Sequence, residues 1–185
     1  MPKKSRYIEI LEAASRIVQT KGVFSLTLDA VAKEAGVSKG GLLYHFPSKE
    51  ALVTAMVEHV IDDYVENIKQ RAEADTGEKG KWTRAIVMET YEQTFSNLDI
   101  NAGFLVALAM DPKLLGPIQK AYEDWQEKIE ADGIDPVNAT ILRLAVDGLW
   151  LSELLGLKYI DEDLQQRIYQ RLLSQTEDGA DSNNG

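Results

Sequence analysis

Residues 31–46 constrain the fold of this chain more than any other stretch. They place an alanine at position 32, a glycine four residues later and a leucine six residues after that. This spacing predicts two short helices that cross steeply through a tight turn, because Ala32 leaves room for the crossing, Gly36 adopts a left-handed conformation and Leu42 points into the core. The stretch therefore predicts a helix-turn-helix whose second helix begins at Ser38 and can enter a DNA major groove.

The rest of the chain is also predicted to be helical, because no run of residues alternates apolar and polar side chains between turn signals. The predicted helices span residues 5–20, 28–35, 39–45, 49–74, 82–98, 102–110, 112–131, 137–157 and 161–175. Phe24 is expected to pack into the core, and residues 99–101 are expected to separate two helices. The fold class is therefore all-α, with about nine helices, an N-terminal three-helix helix-turn-helix head and a C-terminal helical body.

The charge distribution suggests how this chain is organised. Residues 1–50 contain eight Lys and Arg and five Asp and Glu, a net charge of +3, whereas residues 51–185 contain 12 and 25, a net charge of −13. Phosphate repels the acidic part and attracts the basic part, so the head is expected to face nucleic acid. We predict a DNA-binding domain at 1–48, an effector-binding and dimerisation domain at 49–176 and a disordered tail at 177–185.

Composition argues against several other classes of protein. Cysteine is absent and only two histidines are present, so disulfides, thiolate metal sites and cysteine nucleophiles are excluded and no metal or cofactor is expected. No apolar run reaches the roughly 18 residues that a membrane span needs, and we expect a cytoplasmic protein. The chain shows no nucleophile–base pair and no phosphate-binding loop, so an enzyme is a remote alternative.

Two short runs of sequence carry a resemblance to a known family. GVSKG at residues 36–40 and YHFPSKEAL at residues 44–52 are similar to the signature of the TetR/AcrR family of transcriptional regulators. The resemblance covers residues 8–56 and implies a homodimer, a ligand pocket in the C-terminal body and release of DNA when that pocket fills. The family commonly has a small hydroxyl residue where this chain has Gly41 and an aromatic residue where it has Leu43, so two contacts are missing.

Eight residues are predicted to contact DNA: Thr27, Ser38, Lys39, Gly40, Gly41, Tyr44, His45 and Lys49. The two hydroxyl residues begin helices and offer donors to phosphate oxygens. The lysine that follows can reach a guanine edge or a phosphate, and the glycines beside it keep the helix surface thin. The last three residues are expected to donate to phosphates. Lys3, Lys4 and Arg6 are a further candidate, as a minor-groove arm. The alternative is that both short helices serve only the core.

Seven residues of the body are candidates for a ligand pocket, because such pockets combine apolar and aromatic walls with a few polar anchors. They are Met88, Tyr91, Phe95, Phe104, Trp125, Asp147 and Trp150. Each can equally belong to the packed core. For Asp147, a hydrogen bond between two helices is as good an explanation as a ligand contact.

The last two predicted helices, 137–157 and 161–175, are expected to form a homodimer, because the first is apolar on more than one face. Gly148 and Ser152, four residues apart, would let a partner helix approach closely. The sequence thus predicts a ligand-responsive repressor that binds palindromic double-stranded operator DNA as a homodimer and is released by a small-molecule effector. The alternative is a DNA-binding structural protein without an effector, and ligand-dependent loss of DNA binding would distinguish them.

Overall fold

The computed structural model describes residues 5–177 except 97, 158 and 159, and it describes the side chains of this range except those of residues 95–102. Within these residues it contains nine α-helices and no strand. The α-helices are α1 (Arg6–Lys21), α2 (Leu28–Glu34), α3 (Lys39–His45), α4 (Lys49–Ala74), α5 (Lys81–Ser96), α6 (Leu98–Met110), α7 (Gly116–Glu130), α8 (Pro136–Leu154) and α9 (Glu162–Glu177). The predicted all-α fold is confirmed.

The chain packs as two units, which we call the first unit (residues 1–62 and 97–120) and the second unit (residues 63–96 and 121–185). Helix α4 contributes residues to both of them. The units are defined by packing, whereas the boundary predicted at residues 48 and 49 separates functions. That functional boundary stays a prediction.

The core of the first unit is apolar and includes α6 as well as the N-terminal helices. Ile10 of α1, Leu42 of α3 and Leu52 of α4 are all fully buried. Val106 and Ala107 of α6 belong to the same cluster, so the head is completed by a helix that follows it by more than 50 residues. Gly103 lets α6 approach α4, because a Cβ atom there would lie 3.6 Å from the backbone of Met56.

Several predicted details of the helices are wrong. Phe24 does not pack into the core: it lies in a 3-10 turn, Val23–Ser25, and is 93% exposed. Residues 99–101 do not separate two helices, because α6 begins at Leu98. The predicted helix 112–131 is divided into a 3-10 turn, Pro112–Leu115, and α7.

The second unit has a small apolar core where α5 packs against α8 and α9. Its buried members are Val87, Leu142, Val146, Tyr169 and Leu172. Polar contacts hold α5 at several points. Glu89, which is 1% exposed, accepts hydrogen bonds from Asn67 (2.9 Å), Arg71 (2.7 Å) and Gln93 (2.8 Å). A buried carboxylate is tolerated there because donors surround it.

Arg84 of α5 connects α5 to the segment that follows α4 and to the end of α9. Its guanidinium donates to Asp75 (2.6 Å), just after α4, and to the hydroxyl of Thr176 (2.9 Å), at the end of α9. The bond from Arg84 holds the pKa of the Asp75 carboxyl below its ordinary value, with a smaller contribution from the backbone N–H of Gly77. The stretch 75–80, which joins α4 to α5, thus has a defined conformation.

Asp132 caps α5 from a distant part of the chain. Its carboxylate accepts hydrogen bonds from the backbone N–H of Trp82 (3.1 Å), and from the backbone N–H (2.7 Å) and hydroxyl (2.9 Å) of Thr83. Thr83 and Asp132 are 1% and 6% exposed, so water cannot replace these bonds without a rearrangement. The turn between α7 and α8 is therefore joined to the start of α5.

Replacing Asp132 with alanine should lower the free energy of unfolding by about 2–3 kcal/mol, because buried donors would lose a charged acceptor. The matched control is Asp135→Ala. Asp135 is exposed and accepts one bond within its own helix, from Asn138 N–H at 2.9 Å, so we expect a loss of about 1 kcal/mol. Urea unfolding of both variants measures the difference. Equal losses would show that the contact across the chain adds nothing to an ordinary cap.

Candidate DNA-binding surface and effector site

The two crossing helices have the local structure that their sequence predicts. The side chain of Thr27 caps α2 by accepting from Ala30 N–H at 3.1 Å, and that of Ser38 caps α3 by accepting from Gly41 N–H at 3.1 Å. Gly36 lies between them with φ of +66°, a conformation that favours glycine. The hydroxyl hydrogens of Thr27 and Ser38 remain available for an outside acceptor.

The apolar members of this motif point inward. Ala32 is 5% exposed and Leu42 is fully buried, as the spacing predicts. The backbone of the turn is also paired, since Val37 N–H donates to the carbonyl of Ala32 at 3.0 Å. Lys39 and Tyr44 of α3 are left on the outside.

The predicted contact residues of α3 differ in their surroundings. Tyr44 is 86% exposed, and Gly40 and Gly41 are exposed as well. His45, expected like Tyr44 to donate to a phosphate, is half-buried: its ring centroid lies 6.3 Å from that of Tyr7 and 6.2 Å from that of Phe46. Tyr44 is therefore the more accessible of the two aromatic donors.

The cations of the motif also differ. Lys39 forms an ion pair with Asp29, whose oxygen lies 2.9 Å from the ammonium nitrogen. Lys49 is half-buried at the start of α4 and forms no ion pair with any residue that the structure describes. Of the candidate minor-groove arm, Arg6 pairs with Glu9 at 2.7 Å, and Lys3 and Lys4 lie outside the described residues.

Asp147 and Trp125, two of the seven pocket candidates, lie in a polar cluster of the second unit. The carboxylate of Asp147 accepts hydrogen bonds from the Tyr122 hydroxyl (3.1 Å) and from Arg143 (3.0 Å). Trp125 is 3% exposed, with its ring 5.1 Å from that of Tyr122 and 5.3 Å from that of Tyr64. Asp147 thus makes a hydrogen bond between two helices, the alternative that the sequence left open.

Electrostatics in this cluster disfavour the ionised forms of its acids. Burial raises the pKa of the Asp147 carboxyl above its ordinary value, although Arg143 and the Tyr122 hydroxyl act in the opposite direction. Burial, together with the nearby Asp147, also raises the pKa of Tyr122. The Nε atom of Arg143 is buried and has no hydrogen-bond partner within the part of the chain described. The cluster therefore holds a charged pair at an energetic cost, which is a common feature of binding sites.

Three contributors to the cluster were not among the sequence candidates: Tyr64, Tyr122 and Arg143. The sequence contains a signal for two of them, Arg143 and Tyr122. Arg143 stands four residues before Asp147, the spacing of an ion pair on one helix face, and Tyr122 stands three residues before Trp125 on α7. No comparable signal marks Tyr64, because only the tertiary fold brings α4 to α7.

The other pocket candidates are dispersed. Met88 and Tyr91 pack against the apolar core of the second unit, and the Tyr91 ring stacks on that of Tyr169 at 4.0 Å. Trp150 is half-buried on α8, and Phe104 lies in the first unit on α6. The side chain of Phe95 lies outside the described residues. The structure therefore does not bring all seven together.

An open groove of about 840 Å³ lies between the end of α8 and the start of α9. Its lining includes one pocket candidate, Tyr91, together with the apolar side chains of Leu149, Leu157 and Ile160. Its carboxylates are Glu153, Asp161, Glu162 and Asp163. Among the residues that the structure describes, no group of acidic residues and histidines could hold a metal ion. In the same residues no helix has the length and apolar character that crossing a membrane requires.

Two protein families match this chain, one in its N-terminal part and one in its C-terminal part. Residues 10–56 match the family described as bacterial regulatory proteins, tetR family, and residues 80–177 match the family described as tetracyclin repressor-like, C-terminal domain. The second match alone spans more than half of the chain. The helix-turn-helix and the body are thus both recognised.

Similar proteins agree with these matches. The chain is 30% identical over 135 residues to the uncharacterized HTH-type transcriptional regulator YvdT of Bacillus subtilis, covering 70% of this chain and 68% of that protein. It is 30% identical over 155 residues to the HTH-type transcriptional regulator LmrA of the same organism, covering 76% and 81%. In fold it resembles the multidrug binding protein EbrR complexed with malachite green, with a TM-score of 0.69, 22% identity and coverage of 95% and 99%.

The family matches, the relatives and the exposed polar face of α3 all lead to one conclusion. Transcription regulators of this kind bind DNA and are not enzymes. The chain belongs to the TetR family of bacterial transcriptional regulators.

Proposed function

We propose that this regulator is a ligand-responsive repressor, which binds a palindromic operator as a homodimer and leaves it when a small-molecule effector binds the body. The observation that carries the dimer is an apolar stripe on α8. Its exposed members are Val137 (67%), Ile141 (56%), Leu144 (55%), Leu151 (43%) and Leu155 (55%), the last lying just past the helix.

The spacing of the stripe fits a partner helix. Its members follow one another at intervals of four, three, seven and four residues, the repeat of two helices that pack along each other. Gly148 is exposed in the middle of the long interval, and nothing lies within 4 Å of where its Cβ would be. Leaving such a face in water is unfavourable, and a second copy of the same stripe would cover it.

A two-fold dimer would present two copies of α3 to successive major grooves, about 34 Å apart, and would require a nearly palindromic operator. In each copy Lys39 would reach base edges, whereas Thr27, Ser38, Tyr44, His45 and Lys49 would contact phosphates. Gly40 and Gly41 would allow the helix to approach closely. The regulator would act in the cytoplasm, where the bacterial chromosome lies.

The polar cluster around Asp147 is our candidate for the effector site. Its charged pair and the three aromatic rings beside it have the chemistry of a ligand site, and the similar fold of EbrR holds malachite green. An effector can release DNA only if it binds more tightly to the conformation that fits the operator poorly. Helix α4, which contributes to both units, is the element through which this change would pass.

The response to an effector is measured as a change in affinity for DNA. The probe is the DNA duplex that the protein selects from a random-sequence library. A compound that lowers the affinity for this duplex in the wild type, and does so less in Asp147→Asn, would support a site at the cluster. Glu153→Gln, in the groove between α8 and α9, is the matched control. If no compound in a broad library changes the affinity, the alternative of a DNA-binding structural protein without an effector is favoured.

Replacing Lys49 with alanine should weaken binding to DNA of every sequence and reduce the slope of log affinity against log salt by about 0.9, the contribution of one phosphate contact. Lys33→Ala is the control, since Lys33 is exposed on α2 and is not one of the predicted DNA contacts. Fluorescence anisotropy at several salt concentrations measures both slopes. An unchanged slope for Lys49→Ala, or an equal loss for Lys33→Ala, would refute the assignment.

A further inference from the structure

The ion pair between Lys39 and Asp29 lies across the open side of the helix-turn-helix. Lys39 is the first residue of α3, and Asp29 lies in the first turn of α2. The ammonium nitrogen is 2.9 Å from one carboxylate oxygen and 3.2 Å from the other. Both side chains remain mostly exposed, at 60% and 72%. The pair therefore lies on the protein surface, beside the predicted DNA contacts of α3, and is not part of the core.

No other long side chain stands beside Lys39 in the first turn of α3. The next two residues are glycines, and a Cβ atom at Gly40 would meet nothing within 4 Å. Base contacts by this turn therefore depend on Lys39. A group that changes the position or the charge of the Lys39 ammonium therefore changes which DNA atoms this turn can contact.

The neighbouring carboxylate changes what Lys39 can gain from each part of the DNA. Contact with a phosphate would bring Asp29 close to the negatively charged backbone, or would require the ion pair to break. Either outcome offsets part of the attraction between Lys39 and a phosphate, because the carboxylate repels the phosphate or the ion pair is lost. Without Asp29, Lys39 would be free to bind phosphates in DNA of any sequence.

A guanine edge differs from a phosphate because it presents no negative charge to Asp29. Its O6 and N7 atoms are neutral acceptors, so they do not repel the carboxylate. A lysine ammonium has three donors, and those not used by Asp29 remain free for these two atoms. The ion pair can thus persist while Lys39 contacts the base.

We propose that Asp29 is a positioning residue for sequence recognition, which withholds Lys39 from phosphates and directs it to a guanine in the major groove. This assignment rests on the DNA-binding surface proposed above and adds a role for a residue outside the predicted contacts. Asp29 acts only through Lys39. Its removal should therefore strengthen binding to arbitrary DNA and weaken discrimination.

The experiment compares the full chain with Asp29→Asn on two probes. One is the duplex that the wild type enriches from a random-sequence library, and the other is a scrambled duplex of the same length and composition. For Asp29→Asn we expect the affinity for the scrambled duplex to rise about fivefold at physiological salt, and its salt slope to steepen by about 0.9, because Lys39 gains one phosphate contact. The ratio of the two affinities should fall, and a repeated enrichment should show a weaker preference for guanine.

A double-mutant comparison separates this mechanism from general repulsion between Asp29 and DNA. In a Lys39→Gln background, Asp29→Asn should leave the salt slope unchanged if Asp29 acts through Lys39. Equal steepening in both backgrounds would overturn the proposal, because it would show that Asp29 acts alone. Glu34→Gln is the matched control: Glu34 also pairs with cations of the first unit, Arg16 at 3.4 Å and Lys21 at 3.9 Å, and its loss should not change the slope.

Two further results are informative. Thermal unfolding followed by circular dichroism checks that the variants fold, and an Asp29→Glu variant should keep the wild-type slope if an ion pair is what matters. If the wild type enriches no duplex, the proposed palindromic operator is wrong, but the slope on scrambled DNA still tests Asp29. An unchanged slope for Asp29→Asn on the scrambled duplex would refute the inference.

Discussion

Replacing Gly80 with alanine should lower the free energy of unfolding by about 3 kcal/mol or more, because the variant combines an unfavourable backbone conformation with a steric clash. Gly80 has φ of +71°, and a Cβ atom there would lie 2.1 Å from the carbonyl oxygen of Thr176. Neither side can move easily. Gly80 N–H donates to the carbonyl of Asp132 at 2.8 Å, and Arg84 holds the end of α9 through Thr176.

The matched control for Gly80 is Gly156→Ala. Gly156 also has a positive φ, of +67°, but a Cβ atom there would meet nothing within 4 Å. This variant should lose about 1–2 kcal/mol, the cost of the left-handed conformation alone. Urea unfolding of both proteins, followed by circular dichroism, measures the difference. Similar losses at the two positions would mean that the end of α9 does not pack against Gly80 as the structure has it.

Replacing Leu144 with glutamate should abolish the proposed dimer at micromolar concentrations. Leu144 lies in the middle of the α8 stripe and is 55% exposed in the single chain. A two-fold interface contains each residue twice, so one substitution would bury two unpaired carboxylates, at about 3–5 kcal/mol each. Sedimentation velocity measures the oligomeric state, and operator affinity should fall by at least about 100-fold, since a monomer contacts only one half-site.

The control for Leu144 is Leu108→Glu, because Leu108 is an equally large apolar residue with 49% exposure but lies on α6, in the first unit. It should leave the oligomeric state unchanged. A dimer that survives Leu144→Glu would place the interface elsewhere, and a dimer lost in both variants would point to a general effect of charge on solubility. Thermal unfolding confirms that both chains still fold.

Local signals predicted the helix-turn-helix well, because its geometry depends on near neighbours in the sequence. Thr27 and Ser38 cap helices that begin at the next residue, and the left-handed glycine at 36 lies between them. Steric and hydrogen-bonding requirements of this kind are satisfied within a few residues. Sequence spacing is therefore enough to recognise them.

The same reasoning failed where the type of a residue was the only guide to its surroundings. Phe24 is apolar, and its type alone suggested burial, but the 3-10 turn that contains it directs the side chain outward. Asp99 and Asn101 looked like helix breakers, yet they lie within α6. Weak local preferences of this kind are overridden by packing of the whole helix.

The sequence by itself determined the helical fold, the position of the helix-turn-helix and the family, because repeating apolar spacing, helix caps and a turn glycine are all local properties. Only the tertiary structure decided which polar groups from different helices meet. Asp29 and Lys39 are ten residues apart, and Asp132 caps a helix that begins about 50 residues earlier. Contacts over such separations depend on how the helices pack, and helix packing places residues together that no spacing rule connects.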